Sequence, residues 1–198
     1  MTTNENPTET LVQRPRRADA LRNYERLIAA AREAFAGGGS STSLEEIARR
    51  AQVGIGTLYR NFPTRQDLLE AVYVEEVEAM CRSAADLADL PPWEALCTWL
   101  HRAVGYLLTK RALAEELLAY LDSDAEFFRG CRTAFYGAGE PLFARAQAAG
   151  VVRSDTTFAD AVQLVSGIAK IPGAEPEQIN RILDVALDGL RYHPAVSA

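Results

Sequence analysis

The stretch Thr42–Leu69, TSLEEIARRAQVGIGTLYRNFPTRQDLL, decides the fold of this chain of 198 residues. Near its start stands Ser43, a good N-cap residue, and Glu46 follows three residues later, which is the sequence pattern of a capping box. The pattern predicts a short helix over 44–51 that buries its apolar positions. The residues that follow, Gln52-Val53-Gly54, predict a tight turn that ends this helix.

A second short helix is predicted directly after the turn, over 55–61, and Pro63 interrupts the chain beyond it. Two short helices joined by a three-residue turn that contains glycine are typical of the DNA-binding helix-turn-helix. In that motif the second helix enters the major groove and reads base edges. The stretch therefore predicts a DNA-reading element.

The second helix has two different faces when it is projected at 100° per residue. Leu58 and Phe62 share one face, which we expect to pack on the core. The positions that point away from it or lie on its flank are Gly56, Thr57, Tyr59 and Arg60. Hydroxyl, phenol and guanidinium groups can contact phosphates or base edges, and a glycine lets the backbone approach the groove. The angle of Ile55 is ambiguous between core edge and groove, where its aliphatic side chain could contact only a thymine methyl.

The rest of the chain also has helical spacing and no alternating strand pattern. A first helix is predicted from Ala18 to the glycines at 37–39, and Thr64 caps another long one. After Pro91-Pro92 the predicted helices cover 93–109, 112–121, 125–149 with a kink at 137–141, 156–170 and 175–191. The predicted fold is all-α with about nine helices. We expect a disordered basic arm over 1–17, a three-helix helix-turn-helix DNA-binding domain over 18–63 and a helical ligand-binding and dimerisation domain over 64–198.

Charge is distributed unevenly along the chain, whose net charge is −6. Residues 14–65 hold ten Arg against five Asp and Glu, whereas residues 66–198 hold eleven basic against twenty acidic residues. A basic N-terminal third on an acidic body is expected when one end of a protein contacts phosphates. Arg14, Arg16 and Arg17 of the arm could enter a minor groove, or form a solvated basic tail.

Thr42–Leu69, with the preceding segment Arg22–Phe35, strongly resembles the DNA-binding region of the TetR family of transcriptional regulators. The resemblance implies a homodimer that binds a near-palindromic operator, usually to repress. It further implies phosphate contacts by Tyr59 and Arg65, and by Thr42 and Ser43 beside the first short helix. This chain departs from the common pattern where Gly54, Ile55 and Asn61 stand, in place of serine, of a polar or basic residue and of histidine. We retain all three as candidate DNA-binding positions, although Gly54 is a weaker N-cap than serine.

Aromatic and apolar residues are concentrated in two of the C-terminal helices, and they have two possible roles. One is simple core packing, and the other is the lining of a ligand cavity, such as bundles form between their helices. The family's ligand pocket lies in this region. The candidate lining residues are Trp93, Cys97, Trp99, His101, Tyr106, Phe127, Cys131 and Phe135. The two histidines are far apart and the three cysteines form no CxxC pair, so no metal site or cofactor is predicted.

The last two predicted helices carry more apolar surface than one chain needs to cover. Two apolar stripes run along 179–190, and a width this large predicts a second surface that covers the part left over. A two-fold four-helix interface would bury both stripes, and the resemblance implies the same dimer site. The candidate interface residues are Val162, Val165, Ile179, Ile182, Leu183, Ala186 and Leu190.

These features predict a dimeric DNA-binding regulator that a small-molecule ligand releases from its operator, most simply a repressor. A regulator without a ligand is one alternative. A small all-α carrier or enzyme is another, but the sequence contains no nucleophile elbow or phosphate loop, and we do not expect an enzyme. No apolar run is long enough to span a membrane and the first residues do not read as a signal peptide, so we expect a cytoplasmic protein whose partners are operator DNA and a second copy of the chain.

Overall fold

A computed structural model gives the structure of residues 14, 15, 17–38, 42–123 and 125–192. Over these residues the chain forms eight α-helices and no strand, so the predicted all-α class is confirmed. The helices are α1 (Ala18–Gly38), α2 (Leu44–Arg50), α3 (Ile55–Asn61), α4 (Arg65–Ala85), α5 (Pro92–Leu117), α6 (Glu126–Ala148), α7 (Phe158–Ala169) and α8 (Pro176–Leu190). None of these helices is long and apolar enough to cross a membrane.

The described residues form eight helices and not the nine predicted, because two of the predicted helices belong to one continuous helix. The segment predicted over 93–109 and residues 112–117 of the segment predicted over 112–121 are both part of α5, which continues without interruption to Leu117. Residues 118–121, predicted as helix, lie beyond its end. Lys110 and Arg111 join the two predicted segments, and neither is a helix breaker.

The described chain divides into two compact units. Unit 1 consists of residues up to 78 together with 109–134. Its N-terminal part packs α1, α2 and α3 around side chains that are completely buried, among them Leu27, Ile47 and Leu58. The ring of Tyr24 lies 5.1 Å from that of Phe62, which joins α1 to the end of α3. This core fixes the orientation of α3.

Unit 2 consists of residues 79–108 together with the described residues from 135 to 192. Trp99 is completely buried in it, and its Nε1 donates a hydrogen bond of 3.2 Å to the Met80 carbonyl oxygen. The indole ring lies 4.9 Å from the ring of Phe135 and 5.8 Å from that of Phe158. Gly139 of α6 makes room for this cluster, because a Cβ there would lie 2.3 Å from Cζ of Phe158 and 2.5 Å from Cη2 of Trp99.

The compactness of a unit does not show which part of a chain folds by itself. The predicted division into 1–17, 18–63 and 64–198 therefore stays a prediction. Helices α4, α5 and α6 each contribute residues to both units. Pro141, where a kink is predicted, lies inside α6, which is helical from Glu126 to Ala148.

Candidate nucleic-acid interface

The turn between α2 and α3 is built from backbone hydrogen bonds and one residue with positive φ. Gln52 has a φ of 54°, and its N–H donates to the Arg49 carbonyl oxygen at 3.1 Å. The N–H of Val53 donates to the Ala48 carbonyl oxygen at 3.0 Å, and both of these side chains are buried. This pair of bonds is the Schellman arrangement that ends a helix. It turns the chain sharply and sets the direction in which α3 leaves.

The burial of α3 agrees with the orientation expected from the sequence. Leu58 is completely buried and Phe62 nearly so, while Gly56 and Arg60 are exposed. Tyr59 is 44% exposed, and Thr57 is half-buried. A helix of seven residues thus presents a continuous outward surface and anchors itself through its opposite face.

Ile55, whose angle was ambiguous, is 40% exposed and lies on the outward surface of α3. Both of its neighbours in sequence, Gly54 and Gly56, are glycines, so no adjacent side chain covers it. An aliphatic side chain in that position can contact a thymine methyl but cannot form a hydrogen bond with a base. Gly54 is the N-cap of α3, and its carbonyl oxygen accepts from Thr57 N at 2.8 Å and from Leu58 N at 3.1 Å.

Two of the polar side chains on α3 contact their own helix backbone. Nε of Arg60 donates to the Gly56 carbonyl oxygen at 3.2 Å, so the guanidinium lies along the surface of α3. Nδ2 of Asn61 donates to the Thr57 carbonyl oxygen at 2.8 Å. Arg60 is exposed and can turn outward toward DNA, whereas Asn61 is half-buried. The DNA contacts of all these residues remain predictions.

The N-terminus of α2 has half of the predicted capping box. Oγ of the exposed Ser43 accepts a hydrogen bond of 3.2 Å from the Glu46 backbone N–H. The Glu46 carboxylate does not complete the box and instead accepts from Nη2 of Arg49 and Nε of Arg50, both at 2.7 Å. Arg50 and Arg49 hold the pKa of Glu46 below its usual value through these hydrogen bonds. The guanidinium groups of Arg49 and Arg50 lie one turn along the helix from Glu46. Their hydrogen bonds to its carboxylate are between charged groups and therefore stronger than a bond from the Ser43 backbone N–H would be.

Arg65, for which a phosphate contact is predicted, forms several contacts inside unit 1. Its Nη1 donates to the Thr42 carbonyl oxygen at 2.6 Å, and its Nη2 donates to Oε2 of Glu116 at 2.9 Å. The guanidinium also lies over the ring of Phe35, 5.0 Å from the ring centroid. Thr42 is half-buried and Ser43 exposed. The segment before α2 is thus held against α4 and α5 through one side chain.

Arg14 of the predicted arm is held on α4. Its guanidinium forms ion pairs with Glu75, at 2.8 Å, and with Glu78, whose carboxylate is buried. The sequence predicted either a minor-groove contact or a solvated tail for the arm, and neither prediction included ion pairs of Arg14 with α4. Arg17 is exposed, and Arg16 and residues 1–13 lie outside the described residues.

The candidate ligand residues fall in both units, and three of them form one aromatic cluster. In unit 2 the ring of Phe135 is stacked on that of Tyr106, with the centroids 5.0 Å apart, and its centroid lies 4.9 Å from that of the tilted Trp99 ring. Of the other candidates, Trp93, Cys97 and His101 belong to unit 2, and Phe127 and Cys131 to unit 1. An open groove of about 620 Å³ runs along the exposed side of α1 near Arg22 and Arg26, and none of the candidates lines it.

His101 lies near a residue that the sequence analysis missed. Its Nε2 is 2.9 Å from Oδ1 of Asp184 on α8, and its Nδ1 is 2.8 Å from the Cys97 carbonyl oxygen. Burial raises the pKa of the Cys97 thiol to about 11, so this thiol stays protonated near neutral pH. Two residues near Cys131 in unit 1, Lys110 and Tyr73, were not predicted from the sequence. The Lys110 ammonium lies 5.6 Å from the centre of the Tyr73 ring. Burial lowers the pKa of Lys110.

The candidate interface residues of α7 and α8 differ in how much of their side chain is exposed to solvent. Five of them are buried within the chain itself: Val162, Val165, Ile179, Leu183 and Leu190. Ile182 and Ala186 are half-buried. The apolar side chains that remain exposed are Val185, at 74%, and Leu164, which the sequence analysis did not name.

Comparison with known proteins finds two family models that match parts of this chain. Residues 27–72 match a family described as bacterial regulatory proteins of the tetR family, and residues 91–192 match one described as the C-terminal domain of SbtR-like transcriptional regulators. A TetR transcriptional regulator from Streptomyces coelicolor is similar at 41% identity and a TM-score of 0.74, over 85% of this chain and 98% of that one. A TetR transcription regulatory protein from Mycobacterium vanbaalenii is similar at 34% identity and a TM-score of 0.73, over 90% of this chain and 100% of that one.

Proposed function

The chain belongs to the TetR family of bacterial transcriptional regulators, and we propose that it is a homodimeric repressor whose α3 holds it on a near-palindromic operator until a small-molecule ligand releases it. The observation that carries the DNA-binding part is the outward surface of α3. Ile55, Tyr59 and Arg60 are exposed there, while Leu58 fixes the helix from behind. In this proposal the residues that contact DNA are Thr42, Ser43, Gly54, Ile55, Gly56, Thr57, Tyr59, Arg60 and Asn61.

The salt dependence of operator binding tests the role of α3. Tyr59→Phe removes a hydroxyl that can bind a phosphate, so we expect weaker binding to every duplex. If Arg60 contacts a phosphate, Arg60→Ala should also weaken all binding and reduce the slope of log K against log salt by about 0.9. If Arg60 contacts a guanine, its loss should cost about 1–3 kcal/mol on the operator alone.

Matched controls for this test lie elsewhere on the surface. Tyr120→Phe removes a hydroxyl from a tyrosine that is as exposed as Tyr59, and Arg111→Ala removes an exposed guanidinium from α5. Neither control should change the affinity for the operator. If Tyr59→Phe and Arg60→Ala behave as these controls do, α3 does not read DNA.

The dimer part of the proposal is supported by the exposed apolar side chains of α7 and α8. Leu164 and Val185 are large and exposed, and the half-buried Ile182 lies beside Val185 on the same side of α8. Small glycines, Gly167 and Gly189, stand on the same surface and allow two helices to approach closely. A second copy of the chain is the occupant we propose, with a two-fold axis between the α7–α8 pairs.

Release by a ligand rests on family membership and on the aromatic candidates around Phe135. An effector that prefers the DNA-incompetent state should weaken operator binding by about 1–3 kcal/mol, and the operator should weaken effector binding by the same factor. The residues after 65 carry a charge of −9, which favours an apolar or weakly cationic effector.

A fluorescence screen can find the effector, because both tryptophans of the chain, Trp93 and Trp99, lie in unit 2. Each compound that quenches or shifts the emission is then titrated with and without operator DNA. Equal affinities in both titrations would contradict release by that ligand and support a regulator that acts without one.

A further inference from the structure

One arginine, Arg65, joins four parts of unit 1. It is the first residue of α4, and its guanidinium contacts Phe35 of α1, the carbonyl oxygen of Thr42 just before α2, and Glu116 in the last turn of α5. The two acceptors are approached by two different nitrogens, Nη1 at 2.6 Å and Nη2 at 2.9 Å. A planar guanidinium presents its donors in a rigid fork, so the positions of the two acceptors are fixed relative to each other.

The ion pair of Arg65 and Glu116 is largely removed from solvent. The side chain of Arg65 is 20% exposed and that of Glu116 is 12% exposed. Charge-assisted hydrogen bonds in such surroundings are stronger than those between exposed side chains, because water screens them less. A DNA phosphate that approached Arg65 would also approach the Glu116 carboxylate, and the two negative charges would repel each other.

We propose that Arg65 is a positioning residue and not a phosphate contact: together with Glu116 it holds the segment before α2 at the angle at which Thr42 and Ser43 meet the DNA backbone. The inference rests on the proposed function, since it concerns binding of the same operator. Thr42 is held through its carbonyl oxygen and not through its hydroxyl. The Ser43 hydroxyl oxygen accepts from the Glu46 N–H, and its hydrogen can still be donated to a phosphate. Glu116 contributes to DNA binding although it carries the charge that DNA repels.

The test compares four variants of the full chain on the selected operator and on a scrambled duplex of the same length. Arg65→Lys keeps the charge but cannot hold two acceptors in a fork or lie flat on Phe35. Glu116→Ala removes one acceptor, and Arg65→Gln removes the charge. Glu115→Ala is the matched control, because it removes the same charge from the exposed neighbouring residue, which pairs with Arg111.

We expect Arg65→Lys, Arg65→Gln and Glu116→Ala each to weaken operator binding by about two- to thirtyfold. The slope of log K against log salt should stay as in the unchanged chain, because Thr42 and Ser43 are uncharged and no cationic contact to a phosphate is lost. Binding to the scrambled duplex should weaken by a similar factor, because contacts to the DNA backbone carry no sequence information. Thermal melting identifies a temperature at which all variants are folded, and Arg65→Lys and Glu116→Ala suffice if Arg65→Gln does not fold.

Two results would overturn the inference while the proposed function stands. One is Arg65→Lys binding as tightly as the unchanged chain while Arg65→Gln binds weakly with a slope reduced by about 0.9, which is the behaviour of a phosphate contact. The other is Glu116→Ala binding more tightly than Glu115→Ala, which would mean that the carboxylate competes with DNA for Arg65. Failure of the unchanged chain and of Glu115→Ala to prefer the operator would instead contradict the proposed function.

Discussion

Gln52 occupies a backbone conformation that side chains with a Cβ rarely adopt. Its φ of 54° lies in the left-handed region, where residues other than glycine are disfavoured by about 1–2 kcal/mol. The Schellman hydrogen bonds of Gln52 and Val53 compensate for this cost by ending α2 and directing α3. The turn that orients the reading helix is therefore held with some local strain.

Gln52→Gly should relieve that strain and raise the free energy of unfolding by about 0.5–1 kcal/mol, since part of the gain is lost to the greater freedom of glycine when unfolded. Chemical denaturation measures the change. Gln163→Gly, at an exposed position inside α7, is the control and should lower the free energy of unfolding by about 1 kcal/mol, because α7 is regular helix there. A loss at Gln52 as large as the loss at Gln163 would contradict the account of the turn.

At this scale the sequence predicts what depends on near neighbours. Leu58 and Phe62 were assigned to the core from helical spacing alone, and both are buried. The partners of Arg14 and Arg65 could not be predicted, because Glu78 and Glu116 lie 64 and 51 residues away and ion pairs leave no local pattern. Sequence spacing also could not decide whether Ile55, the first residue of α3, faces the core or the outward surface, because the burial of a terminal residue depends on what packs beside it.

At the scale of helices, caps and prolines predict boundaries well, and the interior of a helix is harder to interpret. The bounds of α3 follow directly from the turn and from Pro63. The predicted break within α5 is absent, because Lys110 and Arg111, which join the two predicted helices, both favour helix. The kink predicted at 137–141 stays a prediction, and Gly139 has a packing role that the sequence did not show, because a Cβ there would meet the rings of Trp99 and Phe158.

Two substitutions in α6 should therefore have opposite effects. Gly139→Ala places a Cβ within 2.7 Å of three ring atoms of Trp99 and Phe158, so rings must move. We expect it to lower the free energy of unfolding by about 1–3 kcal/mol. Gly137→Ala meets none of the described atoms within 4 Å and should raise it by about 0.5–1 kcal/mol, because alanine favours the helix. Thermal or chemical denaturation of both variants checks this; equal effects would contradict the packing role of Gly139.

At the scale of the whole molecule, the structure separates residues that fold the chain from residues left for a partner. Leu183 and Val185 are two positions apart on α8, yet the first is completely buried and the second is 74% exposed. The sequence could not make this distinction, because both apolar stripes of α8 look alike until the rest of unit 2 covers one of them. Whether the uncovered surface binds a second copy remains a prediction.

Val185→Glu should separate the subunits and leave each one folded, because a buried unpaired charge costs several kcal/mol in an interface and nothing in solvent. Light scattering should give the mass of one chain, and operator affinity should collapse. Asn180→Glu, on the opposite side of α8, is the control and should remain dimeric. Leu183→Glu should unfold the subunit instead. A dimeric Val185→Glu variant would place the interface elsewhere.

The central claim is that a dimer of this chain reads DNA with two copies of α3, and selection from a random pool of duplexes tests it most directly. We expect the bound fraction to be enriched in a near-palindrome whose half-sites lie about 10 base pairs, or a multiple of this, apart, since two major grooves on one side of the duplex must be reached together. The same selection with a chain that carries both Tyr59→Phe and Arg60→Ala should lose this enrichment. Enrichment of no sequence, or of an unrepeated site that the double variant selects equally well, would contradict the claim.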